Sequence, residues 1–462
     1  MKKFYLIKRM IGLAALMVTI SAAAFSVGAQ SDDAALQKAP DIKTTVRVGL
    51  SYGSAAKNSV SLSGEGGFTI EVDGYEEEPA VLDIPTLAFT AENGTLHVRT
   101  LFGGEIAGAQ ANVKIKVSPV KEDSIITYNE KTYRGGFELY ADLTGNITVI
   151  NVLDIEEYLR GVLPSEVYAS WNMEALKAAA VTARTYALRN AASSSHSASG
   201  FDVCATTHCQ MYSGASKEHE RTDEAIRETA GLVVKFNGAL AMTPYHSSNG
   251  GYTESAAAAW GGDADLYPYL STVYTPFEDY RNVPNGKWES IIAPDELENF
   301  IPEAYAEKLT GGIADLAYTR APSGFIEQMT VTDGEGNTLE LSTSGSVRSF
   351  FGTLVKSANF DLANTFLPSD EPTAAITVIS ADGEYELTGV NGYTVLSADG
   401  ESVSAGVAEA LVIDGCGYGH GVGLSQFGSR CMADAGFTYE QILETYFPGT
   451  SIEPLFAAPT AE

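Results

Sequence analysis

Glu156–Leu188 reads EEYLRGVLPSEVYASWNMEALKAAAVTARTYAL, and it is where a β-rich chain turns helical. Upstream, from Thr44 to about Leu153, VRVGLSY, FTIEV, LHVRTLF, NVKIKVS, FELYADL and NITVINV alternate apolar with polar residues or carry β-branched runs. Gly, Asn and Asp turns separate them, which is the pattern of half-buried strands. Asp154 to Arg160 opens the helical part. Pro164 disfavours helix at the residue before it, so Pro164-Ser165-Glu166 reads as a short loop. A helix is expected next from about Asn172 to Ala192, capped by Asn172 or Ser170 and filled with Ala, Leu, Met, Lys and Arg. Further on, the spacing predicts a helix over Glu218–Ala230 and a hairpin turned at Asn237-Gly238. It also predicts a helix over Pro294–Leu309, a strand pair over Phe325–Leu341, β structure over Ile376–Ile413 and a last helix over Tyr439–Tyr446. The class is α+β, mainly antiparallel sheet with a few packed helices and β-rich insertions.

Residues 1–29 read as a membrane-targeting segment. Lys2, Lys3, Lys8 and Arg9 precede the apolar run Met10–Ala24, and Val27 and Ala29 suit a cleavage site. A removed signal peptide and an uncleaved anchor both fit, and either one exports the chain. Residues 30–43 read as a linker, 44–118 as a β-rich N-terminal region and 119–456 as the main region. Within the last, 367–375 reads as an insertion edge and 376–401 as a β insertion. The net charge is −30, from 29 basic and 59 acidic residues, which argues against nucleic acid and against attraction to anionic lipid or wall polymer. The four cysteines fall as two close pairs, Cys204 with Cys209 and Cys416 with Cys431, too few for a disulfide scaffold. Export would permit a disulfide in either pair.

Glu166 is a carboxylate braced by a helix, a placement that suits acid–base chemistry. The ordinary alternative is a solvated Glu serving a helix dipole. Val162, Leu163, Val167 and Trp171 could raise its pKa by desolvation. Arg184 nearby would lower it, but reads instead as a structural fork to backbone carbonyls or Glu174. Lys177 is a helix-face lysine and a candidate substrate contact, with Tyr186 in the core. Cys204-Ala-Thr-Thr-His208-Cys209, with His196 upstream, brings together the ligand types zinc prefers. His208 and Cys209 can share one metal only where the backbone turns sharply, and a Cys204–Cys209 disulfide or buried thiols are the alternatives. Gln210 and Tyr212 follow, facing either a cleft or the core. Two glycine-dense blocks, His246-Ser-Ser-Asn-Gly-Gly and Gly417-Tyr-Gly-His-Gly-Val-Gly-Leu-Ser-Gln, let backbone approach a ligand closely. They supply Ser247, Ser248, His420 and Gln426 as candidate binding residues. Neither block has a phosphate-loop or nucleophile-elbow context.

Four blocks taken together carry a resemblance. LPSEVY followed by MEALKAAAVTARTYAL, FDVCATTHCQMY at Phe201–Tyr212, YHSSNGGYTE at Tyr245–Glu254, and GYGHGVGLSQFGSRCMADAGFTYEQILETYFPGT at Gly417–Thr450 come in one order over about Lys131–Ile452. They resemble the stage II sporulation protein D family (SpoIID, with its LytB-type relatives). The chain departs from that pattern with Ala179 for Gln, Thr182 for Ala, Tyr168 near the usual Pro and Leu424 for Met. Thr44–Ser118 and Ile376–Glu401 are its less typical regions. The resemblance implies a peptidoglycan lytic transglycosylase with Glu166 as general acid and base, in which the C6 hydroxyl of N-acetylmuramic acid attacks and leaves a 1,6-anhydro end. A chain with one convincing acid fits that reaction better than hydrolysis, which usually takes two. Also implied are zinc on Cys204, Cys209 and His196 or His208, glycan strands stripped of stem peptides as substrate, and a cell-wall amidase as partner. Recognition of glycan by an acidic chain would rest on shape, hydrogen bonds and aromatic stacking. Two rivals remain: a wall-binding accessory protein that enhances an amidase without cutting, and a zinc hydrolase, which lacks HExxH-type spacing.

Overall fold

The computed structural model describes residues 44–456 except 76–77, 122, 193–195, 280–282, 366–375, 381–382, 388–392, 398–399 and 407–409. The targeting segment 1–29, the linker 30–43 and the insertion edge 367–375 lie outside the described residues.

The alternating segments form β1 (Thr45–Ser51), β2 (Ser59–Gly64), β3 (Phe68–Val72), β4 (Ala80–Leu82), β5 (Thr86–Glu92), β6 (Thr95–Thr100), β7 (Glu105–Gln110), β8 (Ile115–Pro119), β9 (Ile126–Tyr128), β10 (Lys131–Tyr133), β11 (Gly136–Ala141) and β12 (Ile147–Asp154). A short β13 (Val203–Cys204) joins them from beyond the first helices. The sheets run β13-β1-β12-β11-β8-β3-β4 and β10-β9-β2-β5-β6-β7. Every second residue points inward: Val46, Val48, Phe68, Ile70, Ile115 and Val117 from one sheet share a core with Leu62, Leu87, Phe89, Leu96 and Val98 from the other. The expected boundary between residues 118 and 119 falls inside β8, which pairs with β3 on one side and β11 on the other. The ladder crosses that point, so the sequence-based division there does not separate two sheets.

Three helices follow: α1 (Ile155–Glu166) and α2 (Met173–Ala192) pack on the first sheet, and α3 (Glu220–Glu228) packs on α1 and α2. Asp154 caps α1 by accepting from Glu156 N–H. Pro164-Ser165-Glu166 is the last turn of α1 and not a loop. A proline there removes one helical N–H near the helix end, and the Ser165 hydroxyl donates to the Gly161 carbonyl at 2.9 Å. Val167 then turns extended and ends the helix. The Ala-rich face of α2 is buried, with Ala175, Ala178, Ala180, Ala183 and Ala187 against the core.

Residues 287–416 build a second core. Trp288, Leu316, Tyr318, Ile326, Met329, Phe350, Phe351, Phe360 and Ile413 pack together apart from the first cluster. Its strands are Lys287–Ile292, Ile313–Arg320, Ile326–Asp333, Thr338–Leu341, Phe360–Thr365 and Ala410–Cys416, with the helix Ser344–Phe351 across them. The helix expected over Pro294–Leu309 is broken into Pro294–Leu297, a tighter turn and Glu303–Ala306, with Pro302 at the break. Within the expected 376–401 insertion, Ile376–Ser380 pairs with Gly383–Leu387, while Gly400–Gly406 joins the sheet of this second core beside Ile313–Arg320. The chain then returns to the first core. Leu424–Ser425 pairs in parallel with Tyr245–His246, the helix Gln426–Asp434 follows, and Ser451–Pro454 adds a strand to Leu232–Phe236.

Candidate functional site

Glu166 sits where four distant stretches of chain meet. Its Oε1 accepts from the Met211 backbone N–H at 2.6 Å, and its Oε2 accepts from the Gln426 side-chain amide at 3.4 Å. Leu163, Val167, Ala179, Thr182, Tyr245 and Leu424 wall a space of about 10 Å³ beside it, on the order of one water. Burial pushes the Glu166 carboxyl above its ordinary range, and hydrogen bonds from Met211, Tyr245 and Gln426 oppose that without cancelling it. None of these groups is a carboxylate. Three departures from the family pattern, Ala179, Thr182 and Leu424, therefore line the pocket of the candidate acid itself.

Three other acids, Glu156, Glu157 and Asp202, are engaged elsewhere. Glu156 takes a two-pronged pair from Arg184, at 2.9 and 2.7 Å, and also accepts from Gly231 N–H. Glu157 pairs with Arg134 and Arg160. Asp202 accepts from the Arg47 backbone N–H at 2.8 Å. Arg184 is fully buried and also donates to the carbonyls of Leu232 and Ile226. It is the structural fork expected, with Glu156 rather than Glu174 as its acid, and it makes no contribution to the Glu166 shift.

The remaining sequence candidates divide. Gln426 reaches Glu166. Gln210 is fully buried and faces no cleft: it donates to the Ala183 carbonyl and the Tyr245 hydroxyl, both at 3.3 Å, and accepts from the Tyr158 hydroxyl at 3.2 Å. Its action on the site is through Tyr245. Tyr212 is core, its hydroxyl donating to Asn151 Oδ1 at 2.6 Å. Lys177 is held on the outer face of α2 by Glu174 and Glu228, at 3.1 and 2.8 Å. Ser248 is buried with its backbone bridged to Tyr418, and the Ser247 carbonyl accepts from Phe427 N–H. His420 Nδ1 accepts from Val422 N–H, and its ring lies 5.5 Å from His246 and 5.4 Å from Trp260. Gln210, Tyr212 and Ser248 are thus packed in the interior, and Lys177 is ion-paired. Sequence reasoning missed Met211, which acts through its backbone and leaves no side-chain signal. It also missed Tyr245, whose position at the head of the YHSSNGG block was available as a clue.

His196, Cys204, His208 and Cys209 offer ligand atoms that all lie within 4.8 Å of one another. A turn over Thr206–Cys209, closed by the Cys209 N–H on the Thr206 carbonyl, brings His208 and Cys209 to one point. The Phe201 ring stacks on His196 at 4.7 Å and fills the space over Gly49, where a Cβ would meet it at 2.7 Å. Sulfur–nitrogen separations are 3.6 Å (Cys204–His208), 3.3 Å (Cys209–His196) and 3.4 Å (Cys209–His208). A tetrahedral zinc with ordinary Zn–S and Zn–N lengths has S···N edges of about 3.6 Å, so the set fits such a metal. All four cysteines are free thiols, so neither close pair forms a disulfide.

A family model described as stage II sporulation protein, SpoIID, matches residues 144–236. The amidase enhancer of Bacillus subtilis (strain 168) is 31% identical over 306 residues, which is 64% of this chain and 40% of that protein. The chain thus spans two-fifths of that relative's length. An uncharacterized protein of Brachyspira hyodysenteriae is 28% identical over 73% of this chain and 78% of its own length. Stage II sporulation protein D of Bacillus subtilis is 27% identical, covering 67% of this chain and 77% of that protein. The match to the SpoIID family model thus takes in α1, α2 and α3, and the chain is similar to relatives bearing both the stage II sporulation protein D and the amidase enhancer names.

Proposed function

We propose that this protein is an exported lytic transglycosylase that cuts peptidoglycan glycan strands at the bond between N-acetylmuramic acid and N-acetylglucosamine. The observation that carries the reading is the half-buried carboxyl of Glu166, raised by burial and, among the described residues, without a second carboxylate acting on it. In its acid form Glu166 gives its proton to the glycosidic oxygen as the C1–O bond breaks. The C6 hydroxyl of the same muramic acid closes on C1, and the Glu166 carboxylate takes that hydroxyl's proton. One group serves twice and no water enters. The role would lie in sporulation or wall remodelling, on strands already stripped of stem peptides by a partner amidase.

Cys204, Cys209, His196 and His208 would hold zinc. Two thiolates and two imidazoles complete a tetrahedron, the closed set of a structural site. Bound there, the metal supplies a fixed anchor for the Thr206–Cys209 turn. The chain leaves that turn through Gln210 and Met211, the residues that orient Tyr245 and hydrogen-bond Glu166. Native protein should carry roughly one zinc per chain, and Cys204→Ser should remove it and lower thermal stability. Metal-free native protein, by elemental analysis, would overturn the assignment.

The likeness to an amidase enhancer favours a second reading, a wall-binding accessory in which Glu166 is dispensable. Mass analysis of digested glycan separates the two. Glu166→Gln should keep the fold and lose roughly 10²–10⁴-fold in the formation of anhydro ends, which are about 18 Da lighter than hydrolysed ends because no water is added. Undiminished cleavage by the variant sinks the role of Glu166. Heavy-oxygen label entering new reducing ends from water would mean hydrolysis, and no new ends from native protein would favour the accessory.

A further inference from the structure

An open cleft of about 410 Å³ is lined by Tyr168, Trp171, Asn172, Phe427, Arg430 and Asp434 among others. Its wall adjoins the candidate site in sequence: Tyr168 is two residues past Glu166, and Phe427 follows Gln426, which hydrogen-bonds Glu166. The three rings form one cluster, with centroids 5.8 Å apart for Tyr168–Trp171, 5.1 Å for Trp171–Phe427 and 6.5 Å for Tyr168–Phe427. Trp171 and Phe427 are 7% and 6% exposed, whereas Tyr168 is 62% exposed. A large ring left open on two buried ones is a rigid platform that folding alone does not require. The loop bearing it is pinned: the Asn172 amide donates to the Ala433 carbonyl at 3.0 Å, and Arg221 donates to the Trp171 carbonyl at 2.8 Å. Along the far rim Arg430 faces Asp434 at 3.5 Å, with side chains 41% and 53% exposed. A pair that long and that exposed is weak, so the guanidinium can be drawn to a better anion at little cost.

We infer that this cleft is a saccharide subsite, in which a pyranose ring stacks on Tyr168 and Arg430 pairs with a carboxylate borne by that sugar. The inference rests on the glycan reading above and narrows it. The apolar face of the sugar covers the open ring, as aromatic platforms favour. The planar fork of arginine suits a carboxylate. On a muramic acid residue the acid is the lactyl group, ionised only when no peptide is amide-linked to it. In a chain of net charge −30, an arginine on the rim of this cleft selects for that anion against a general repulsion of anions.

The test measures binding by calorimetry in Glu166→Gln protein, so that cleavage plays no part. The ligands are peptide-free glycan strands and neutral chitooligosaccharides. Tyr168→Ala should weaken both roughly three- to tenfold, and Tyr168→Phe should keep both. Arg430→Gln should weaken the carboxylated strands about tenfold and leave the neutral ones alone. Asp434→Asn should tighten the carboxylated strands. Binding that Tyr168→Ala does not change, or an Arg430→Gln loss equal for both ligands, overturns the subsite, as does failure of the Glu166→Gln protein to bind either ligand. Failure of the catalytic reading has a different signature, namely cleavage by Glu166→Gln protein whose binding follows the pattern expected here.

Discussion

In the proposed reaction Glu166 holds, gives up and takes back a single proton, and its surroundings would set the pH at which that works. Burial raises the carboxyl while three hydrogen bonds lower it, so cleavage should fall as pH rises through the lifted value, where the starting acid is lost. Tyr245→Phe removes a hydrogen bond that favours the carboxylate. Its pH–rate limb should therefore move to higher pH, and a limb that stays or moves lower would remove Tyr245 from the site. Glu254 shows the same physics away from the chemistry. It is buried, its Oε2 has no hydrogen-bond partner, and burial pushes its carboxyl from 4.5 to about 7. Between those values the unfolded chain releases this proton and the folded chain keeps it. Stability contributed by the neutral acid is whole below 4.5 and lost as pH rises towards 7, by up to ~3 kcal/mol. Glu254→Gln should flatten that decline, read as melting temperature at pH 5 and pH 8. Glu166 and Gln426 were legible as residues because their blocks have distinctive wording. Gln210 and Tyr212 stayed open between cleft and core because a polar residue beside a metal-type motif reads the same whether it faces a cleft or closes a buried hydrogen-bond chain.

Among the elements, α1 carries the greatest constraint. Its Gly161 faces the Tyr212 ring and the Gly214 carbonyl, where a Cβ would stand 2.5 and 2.7 Å away. Gly161→Ala improves helix propensity by about 1 kcal/mol, yet the overlap with ring and backbone costs about 1–3 kcal/mol. We expect a net lower melting temperature and weaker cleavage, since Glu166 lies one and a half turns further along. A variant as stable as the parent would mean that the helix shifts freely at this point. The strands β1, β3, β6, β8, β11 and β12, helices α2 and α3 and the hairpin at Asn237-Gly238 were legible from alternation, helical spacing and turn residues. The last turn of α1 was not, because a proline at a helix C-terminus and one in a loop leave the same local signal. The helix Gln426–Asp434 also escaped, its glycine-dense approach reading as continuous turn until Ser425 caps it.

For the molecule as a whole, two cores matter. The second one touches the Gly417–Val422 segment: the Trp288 indole donates to the Gly417 carbonyl at 2.8 Å, and Gly419 N–H donates to the Lys356 carbonyl at 3.0 Å. Phe351 is fully buried in that core. Phe351→Ala should cost about 3–5 kcal/mol there and, in calorimetry, lower a transition distinct from that of the β1–β12 core. One transition moving as a unit would mean that the cores melt together. The class was legible from the sequence, but the extent of the second core was not, since β periodicity does not reveal which distant strand a segment will join. The hydrogen bond between Gln426 and Glu166 spans 260 positions of sequence. Ribosomes deliver the chain from its N-terminus, so the carboxyl, its Met211 donor and Tyr245 all emerge long before Gln426 and Phe427 do. Until those last residues arrive, the pocket lacks one wall and its aromatic platform lacks a support. The order of synthesis thus serves as a timer, withholding a finished site from any chain that is cut short.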